Sequence, residues 1–171
     1  MKIKSALILI ILLISNICSA QSKKAGVQVD FGIPDGINAG LTYKPISWSR
    51  LYFTGSHNLM SFGVRSGLSI EPFNATISPT LQLEVGGYWR GKFFLIENSP
   101  ELSYIYSNLN IGVDIGNSNS WKVFIHGGPT YISGTIYSIN EIIKLDSAKI
   151  SELKISGFAV PSVKIGFYIY L

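Results

Sequence analysis

The chain has 171 residues, of which 47% are hydrophobic and 14% charged, and a formal net charge of +4. Ordinary soluble domains carry about 25% charged residues, so the deficit argues against a fully solvated surface. The small net charge provides no electrostatic footprint for nucleic acid, and the length suits one domain.

The N-terminus reads Met-Lys-Ile-Lys, then an apolar run from Ala6 to Ile14, then small residues up to Ala20. This order of charged, apolar and small-residue regions predicts a secretory signal peptide over residues 1–20, cleaved after Ala20, and a folded domain over residues 21–171. A cysteine at the end of a leader can carry lipid, but Ser15-Asn16-Ile17-Cys18 lacks the small residue that precedes such sites. Cys18 is therefore read as an apolar leader residue, and the mature chain has no disulfide. Loss of Lys2 and Lys4 lowers the formal charge from +4 to +2. No later run is long and apolar enough for a transmembrane helix, so any membrane span is made of strands.

Alternation of apolar and polar residues, the strand period of two, recurs in eight segments. The first sets Val27, Val29, Phe31 and Ile33 against Gln28, Asp30 and Gly32 and stops at Pro34-Asp35-Gly36, a turn signal. The second sets Ile37, Ala39, Leu41 and Tyr43 against Asn38, Gly40, Thr42 and Lys44. Leu51 and Phe53 oppose Arg50, Tyr52 and Thr54 in the third. The fourth opposes Met60, Phe62, Val64, Leu68 and Ile70 to Ser61, Gly63, Arg65, Gly67, Ser69 and Glu71. In the fifth, Ile77, Pro79, Leu81, Leu83 and Val85 oppose Ser78, Thr80, Gln82, Glu84 and Gly86, and Pro79 predicts a local distortion. The sixth sets Ile105, Leu109, Ile111, Val113 and Ile115 against Tyr104, Tyr106, Asn108, Asn110 and Asp114. The seventh opposes Trp121, Val123, Ile125 and Tyr131 to Lys122, Phe124, His126 and Thr130. The eighth opposes Val163, Ile165, Phe167, Ile169 and Leu171 to Ser162, Lys164, Gly166, Tyr168 and Tyr170.

Regular hairpins without helices predict one antiparallel sheet, and an even number of strands lets it close without edges. Which face is inside follows from the polar side. A water-soluble, lipocalin-like barrel would present that side to solvent and fill it with Lys and Glu. Here it is largely Gly, Ser, Thr, Asn and Tyr, residues suited to a crowded interior. An eight-stranded barrel has an interior just wide enough for side chains. The predicted inward polar network comprises Asp30, Glu71, Glu84 and Asp114 with Arg50, Arg65, Lys122 and Lys164, joined by Lys44. Four acids against five bases is the near-balance that burial demands. Aromatic residues gather toward the strand ends, with Tyr43, Trp48, Phe73 and Trp121 at one rim. Tyr88, Trp89, Phe93, Phe94, Tyr131, Tyr137 and Phe158 gather toward the other. The longest connections, roughly Arg90 to Glu101 and Ser133 to Ser156, are the fifth and seventh and lie on one side. Within the latter, Asn140 to Leu145 is compatible with a short surface helix, and a loop or strand extension without a dedicated partner is the leading reading of this connection.

The leader, the eight alternating segments and the terminal Phe167-Tyr168-Ile169-Tyr170-Leu171 together resemble the small eight-stranded outer-membrane barrels of the OmpA and OmpX type. That class usually ends in an aromatic residue where this chain ends in Leu171. The resemblance implies a closed, eight-stranded, antiparallel up-and-down transmembrane β-barrel in the outer membrane of a Gram-negative bacterium. It also implies outer-membrane lipid and the barrel-assembly machinery as partners. The expected role is structural or loop-displaying and non-enzymatic, with a partner of the envelope or the cell exterior reached through residues 133–156. A narrow ion path or small-ligand carrier is the alternative, and a lipid A-modifying enzyme the third reading. For the last, His57 falls in a predicted turn and His126 on the polar face, without a serine motif of that class. The two histidines form no carboxylate-supported metal spacing, Gly86-Gly87 and Gly127-Gly128 do not open helices as phosphate loops do, and no cofactor is implied. Asn74-Ala75-Thr76 is read as an ordinary turn.

Overall fold

The computed structural model describes residues 24–73, 75–92, 101–117, 119–137 and 152–171. Among them are eight β-strands and no helix: β1 (Ala25–Ile33), β2 (Gly36–Ile46), β3 (Ser49–His57), β4 (Phe62–Ile70), β5 (Ile77–Lys92), β6 (Glu101–Asn117), β7 (Trp121–Tyr137) and β8 (Glu152–Tyr170). Each strand pairs antiparallel with the next, and β1 pairs back onto β8 from Gly26 opposite Tyr170 to Ile33 opposite Val163, closing the sheet into a ring. The alternation explains why. Along Ile77–Val85 the residues are strictly exposed and buried in turn, so polar side chains point into the ring and apolar ones away from it. One turn of sheet thus gives the polar side chains a shared interior and, within the ring, gives each strand a neighbour on both sides for its backbone groups.

Inner glycines make room for rings on the wall. A Cβ at Gly86 would collide with the Tyr106 ring, one at Gly67 with the Tyr52 hydroxyl, and one at Gly166 with Asp30 and Phe124. The β1–β2 turn depends on Gly36, whose φ of 72° lies in the left-handed region and whose Cβ would strike the His57 carbonyl oxygen.

Strand length divides the ring in two. β1 to β4 contain 9, 11, 9 and 9 residues, whereas β5 to β8 contain 16, 17, 17 and 19. The extra length lies at the end of the β5–β6 and β7–β8 connections. There β8 runs past its last β1 partner at Val163, and β5 past its last β4 partner at Tyr88. A four-stranded sheet therefore projects beyond the rim set by the short strands.

Two expectations change, and two details are added to the others. Pro79 sits in unbroken register with Val113, beyond the end of the β4 pairing at Leu81, and the irregularity of β5 falls instead between Tyr88 and Gly91. Much of the long seventh connection is strand, because β7 continues to Tyr137 and β8 begins at Glu152. Tyr88 is buried against Tyr104, and Phe158 registers with inward Ile132, so neither belongs to an outer aromatic rim. Asp35 lies in the expected turn, and its side chain is fully buried. The leader, Asn74, Phe93, Phe94 and the short helix considered at residues 140–145 lie outside the described residues.

The seam between first and last strand offers a direct check of closure. Val29 and Phe167 are register partners on the outer face. Cysteines at both positions should crosslink with a short bifunctional thiol reagent in the folded protein and not in denaturant. Absence of the crosslink in the folded state would contradict the closed ring.

Candidate functional site: the buried charges of the ring

The structure brings the eight predicted network residues together inside the ring, each no more than 3% exposed. They divide into two clusters. Nearer the projecting sheet, Arg65 on β4 holds Glu84 of β5 at 3.0 Å and Asp35 of the β1–β2 turn at 3.4 Å, and pairs with Asp30 of β1. Its Nε donates to Thr54 Oγ1 at 2.7 Å. Lys164 on β8 pairs with both Asp35 and Glu84. Glu84 is the shared acceptor of this cluster. Beyond the two cations it accepts from the Tyr52 hydroxyl at 2.6 Å and the Tyr106 hydroxyl at 3.0 Å.

Toward the opposite end, Arg50 on β3 spans the ring. Its guanidinium reaches Glu71 at 3.2 Å and Asp114 of β6 at 3.3 Å, and lies 3.9 Å from the centroid of the Tyr168 ring. Lys122 on β7 holds the other Glu71 oxygen at 2.9 Å. Tyr168 donates to Glu71 at 3.0 Å or to Asp114 at 2.9 Å. Thr80 donates to Asp114 at 2.8 Å, and His126 Nε2 lies 2.6 Å from the same carboxylate. Gln28 joins the clusters, accepting from Arg50 at 2.6 Å and donating to Asp30 at 2.9 Å.

Asp35 alters the arithmetic of the interior. With it, the buried acids among the described residues are Asp30, Asp35, Glu71, Glu84 and Asp114, and the buried bases are Lys44, Arg50, Arg65, Lys122 and Lys164. Five face five. Turn chemistry concealed Asp35, since Pro-Asp-Gly reads as a solvated turn, and only its pairing with Lys164 and Arg65 reveals the inward side chain. Gln28 and His126 were already legible as inward by parity. Among the described residues, neither histidine hydrogen-bonds to a serine, and no group of three His, Cys, Asp or Glu is placed to hold a metal.

The outer face is an apolar band interrupted by Ser66 and Ser107. Along β6 it runs from Ile105, 68% exposed, through Ile111, 69% exposed, to Ile115. At about 3.3 Å per residue and a tilt of about 40°, that stretch is about 25 Å tall. Tyr43, Trp48, Phe73 and Trp121 are exposed at one end of the band, and Trp89 and Tyr131 at the other. Two shallow grooves of about 710 and 530 Å³ indent it around Ser66, Val85, Ser107 and Tyr131.

No protein-family model, curated protein or solved structure matches the chain.

The chemistry of the interior is mutual neutralisation. Glu84→Ala would leave Arg65 and Lys164 short of an acceptor and should cost about 3–5 kcal/mol, the range for breaking a buried pair. Glu84→Gln, which retains the acceptor oxygen, should cost less. Denaturant titration of the two variants against wild type measures both, and equal stability of all three would contradict a paired core.

Proposed function

We propose that this chain is a non-enzymatic β-barrel of a Gram-negative outer membrane, exported by its leader, that displays the projecting sheet and its connections to the exterior while its filled lumen stays closed. The observation that carries the reading is the outer band. Apolar side chains that face outward around the ring, over a height of about 25 Å with aromatic residues at both ends, match the hydrocarbon layer that such barrels span. In water the same surface would be a severe aggregation liability, because apolar patches beyond a few hundred Å² mark interaction surfaces. In lipid it is the solvated face.

Backbone chemistry supports the same reading. A ring leaves no unpaired edge in the band, the condition for strands to lie in hydrocarbon. Short turns at one end and the long connections at the other match the usual periplasmic and extracellular sides. Residues 133–156 then lie on the exterior side, where they reach a partner of the envelope or of another cell. During biogenesis the terminal strand β8 is the segment offered to the assembly machinery.

Conduction is disfavoured by the positions of Arg50, Tyr168, Arg65 and Tyr52, which fill the cross-section. An ion entering would have to displace carboxylates from guanidinium groups that hold them at 3.0 to 3.3 Å.

Two measurements test this reading. Ile111→Arg or Leu83→Arg, at the middle of the band, should each destabilise the lipid-folded protein by about 2–4 kcal/mol, read from reversible denaturation in liposomes. Unchanged stability would contradict the lipid-facing assignment. In planar bilayers the wild-type protein should show no steady large conductance, and stable nanosiemens openings would replace the closed barrel with a channel.

A further inference from the structure

The projecting sheet exchanges its faces. Inside the ring, polar side chains point inward. Above it, the outer register rows are polar: Glu101, Tyr137 and Glu152 align, as do Ser103, Thr135 and Lys154. Arg90 pairs with Glu101 on this outer side, and its guanidinium lies 4.3 Å from the Tyr137 ring centroid. The inner rows are apolar, with Leu102 aligned to Ile136 and Leu153, Tyr104 to Gly134 and Ile155, and Tyr106 to Ile132 and Phe158. Phe158 is 45% exposed, although it points toward the axis.

At the foot of this apolar wall the row Asn108, Thr130, Val160 presents polar atoms without partners. Asn108 Oδ1 and Nδ2 and Thr130 Oγ1 are buried and make no hydrogen bond, with the side chains 4% and 0% exposed overall. A buried amide and hydroxyl left unsatisfied cost free energy unless something supplies the missing bonds. The neighbouring ions do not supply them, since Glu84 is occupied by Arg65, Lys164, Tyr52 and Tyr106.

We infer that the inner face of the projecting sheet binds an uncharged amphiphile, a hydrocarbon chain lying along Ile132, Ile136, Ile155 and Phe158 with a hydroxyl or amide head bonded to Asn108 and Thr130. The head is uncharged because the charges beside it are already matched. Asn108 offers a donor and an acceptor, and Thr130 either. Entry is from the side above β1 to β4, where no strand among the described residues covers the wall. An added peptide strand fits less well, because the free edge of β8 is interrupted by Pro161 and by an irregularity at Gly157, φ 36°, and carries Lys154, all devices that block strand addition. The inference rests on the membrane reading, which puts the projecting sheet in water and leaves its apolar wall uncovered by lipid.

The test uses the full mature protein in lipid nanodiscs with isotope-labelled isoleucine methyl groups, titrated with octanol. The methyls of Ile132, Ile136 and Ile155 should shift saturably and show nuclear Overhauser contacts to the octanol chain. Asn108→Leu and Thr130→Val should each weaken binding by up to about tenfold, with their spectra reporting an intact fold. Should a variant fail to fold, the Overhauser contacts in the wild type decide alone. Shifts that never saturate and are equally large at Ile111 and Ile125 indicate bilayer partition and overturn the inference. Saturable binding unchanged in both folded variants overturns the assigned head contacts. Entry into nanodiscs without binding sinks this inference alone, whereas failure to enter nanodiscs at all sinks the membrane reading and this inference with it.

Discussion

Buried charge has to be neutralised where it sits, and the narrowness of an eight-stranded ring makes that requirement severe. The interior admits side chains and little else, so a carboxylate such as Glu84 cannot be hydrated and survives only by holding Arg65, Lys164, Tyr52 and Tyr106. Because the partners come from β3, β4, β6 and β8, each ion pair also ties distant parts of the ring together. Arg50 does the same at the other end, between Glu71 and Asp114, with its planar face on Tyr168. Gln28 makes the two clusters one network. The pairing that ties the strands of the ring together is therefore the same pairing that packs these side chains inside it.

The two faces of the sheet answer to different surroundings, and the surroundings change along the strands. On β6 the outer side carries Ile105, Leu109, Ile111, Val113 and Ile115, interrupted by Ser107, and becomes polar throughout at Ser103 and Glu101. The inner side changes in the opposite sense, from Asp114 and Asn110 through Tyr106 and Tyr104 to Leu102. In the proposed membrane setting the boundary is the lipid–water interface. Below it, hydrocarbon lies outside and ions are packed within. Above it, water lies outside, and the apolar inner wall becomes the place where recognition of something apolar is physically sensible.

Much of this was legible in the sequence because parity is a strong constraint. A one-residue slip would reverse every side chain, and the strand faces of Leu83, Ile111, Gln82 and Asn110 in the structure are those that alternation assigns. What escaped did so for identifiable reasons. The extension of β8 from Glu152 to Ser162 follows no single alternation, since the irregularity near Gly157 shifts its period and its polarity is the reverse of the segment after Val163. Tyr88 and Phe158 were placed by their position near strand ends, although their parity points inward. Asp35 was hidden by turn chemistry, because Pro-Asp-Gly sets the chain direction and says nothing about a salt bridge to β8. Pro79 escaped distortion because it lies past the end of β4, a fact of strand length that propensity does not contain.

The central claim is that a polar-filled ring sits in hydrocarbon up to a defined level on β6. It is tested most directly by a nitroxide scan of residues 101 to 115 in nanodiscs, comparing collisions with oxygen against collisions with a water-soluble nickel chelate. The account predicts high oxygen accessibility at Ile105, Leu109, Ile111, Val113 and Ile115, low accessibility to both reagents at Asn108 and Asn110, and nickel accessibility appearing at Ser103 and Glu101. Nickel accessibility at Ile111 equal to that at Ser103 would contradict it.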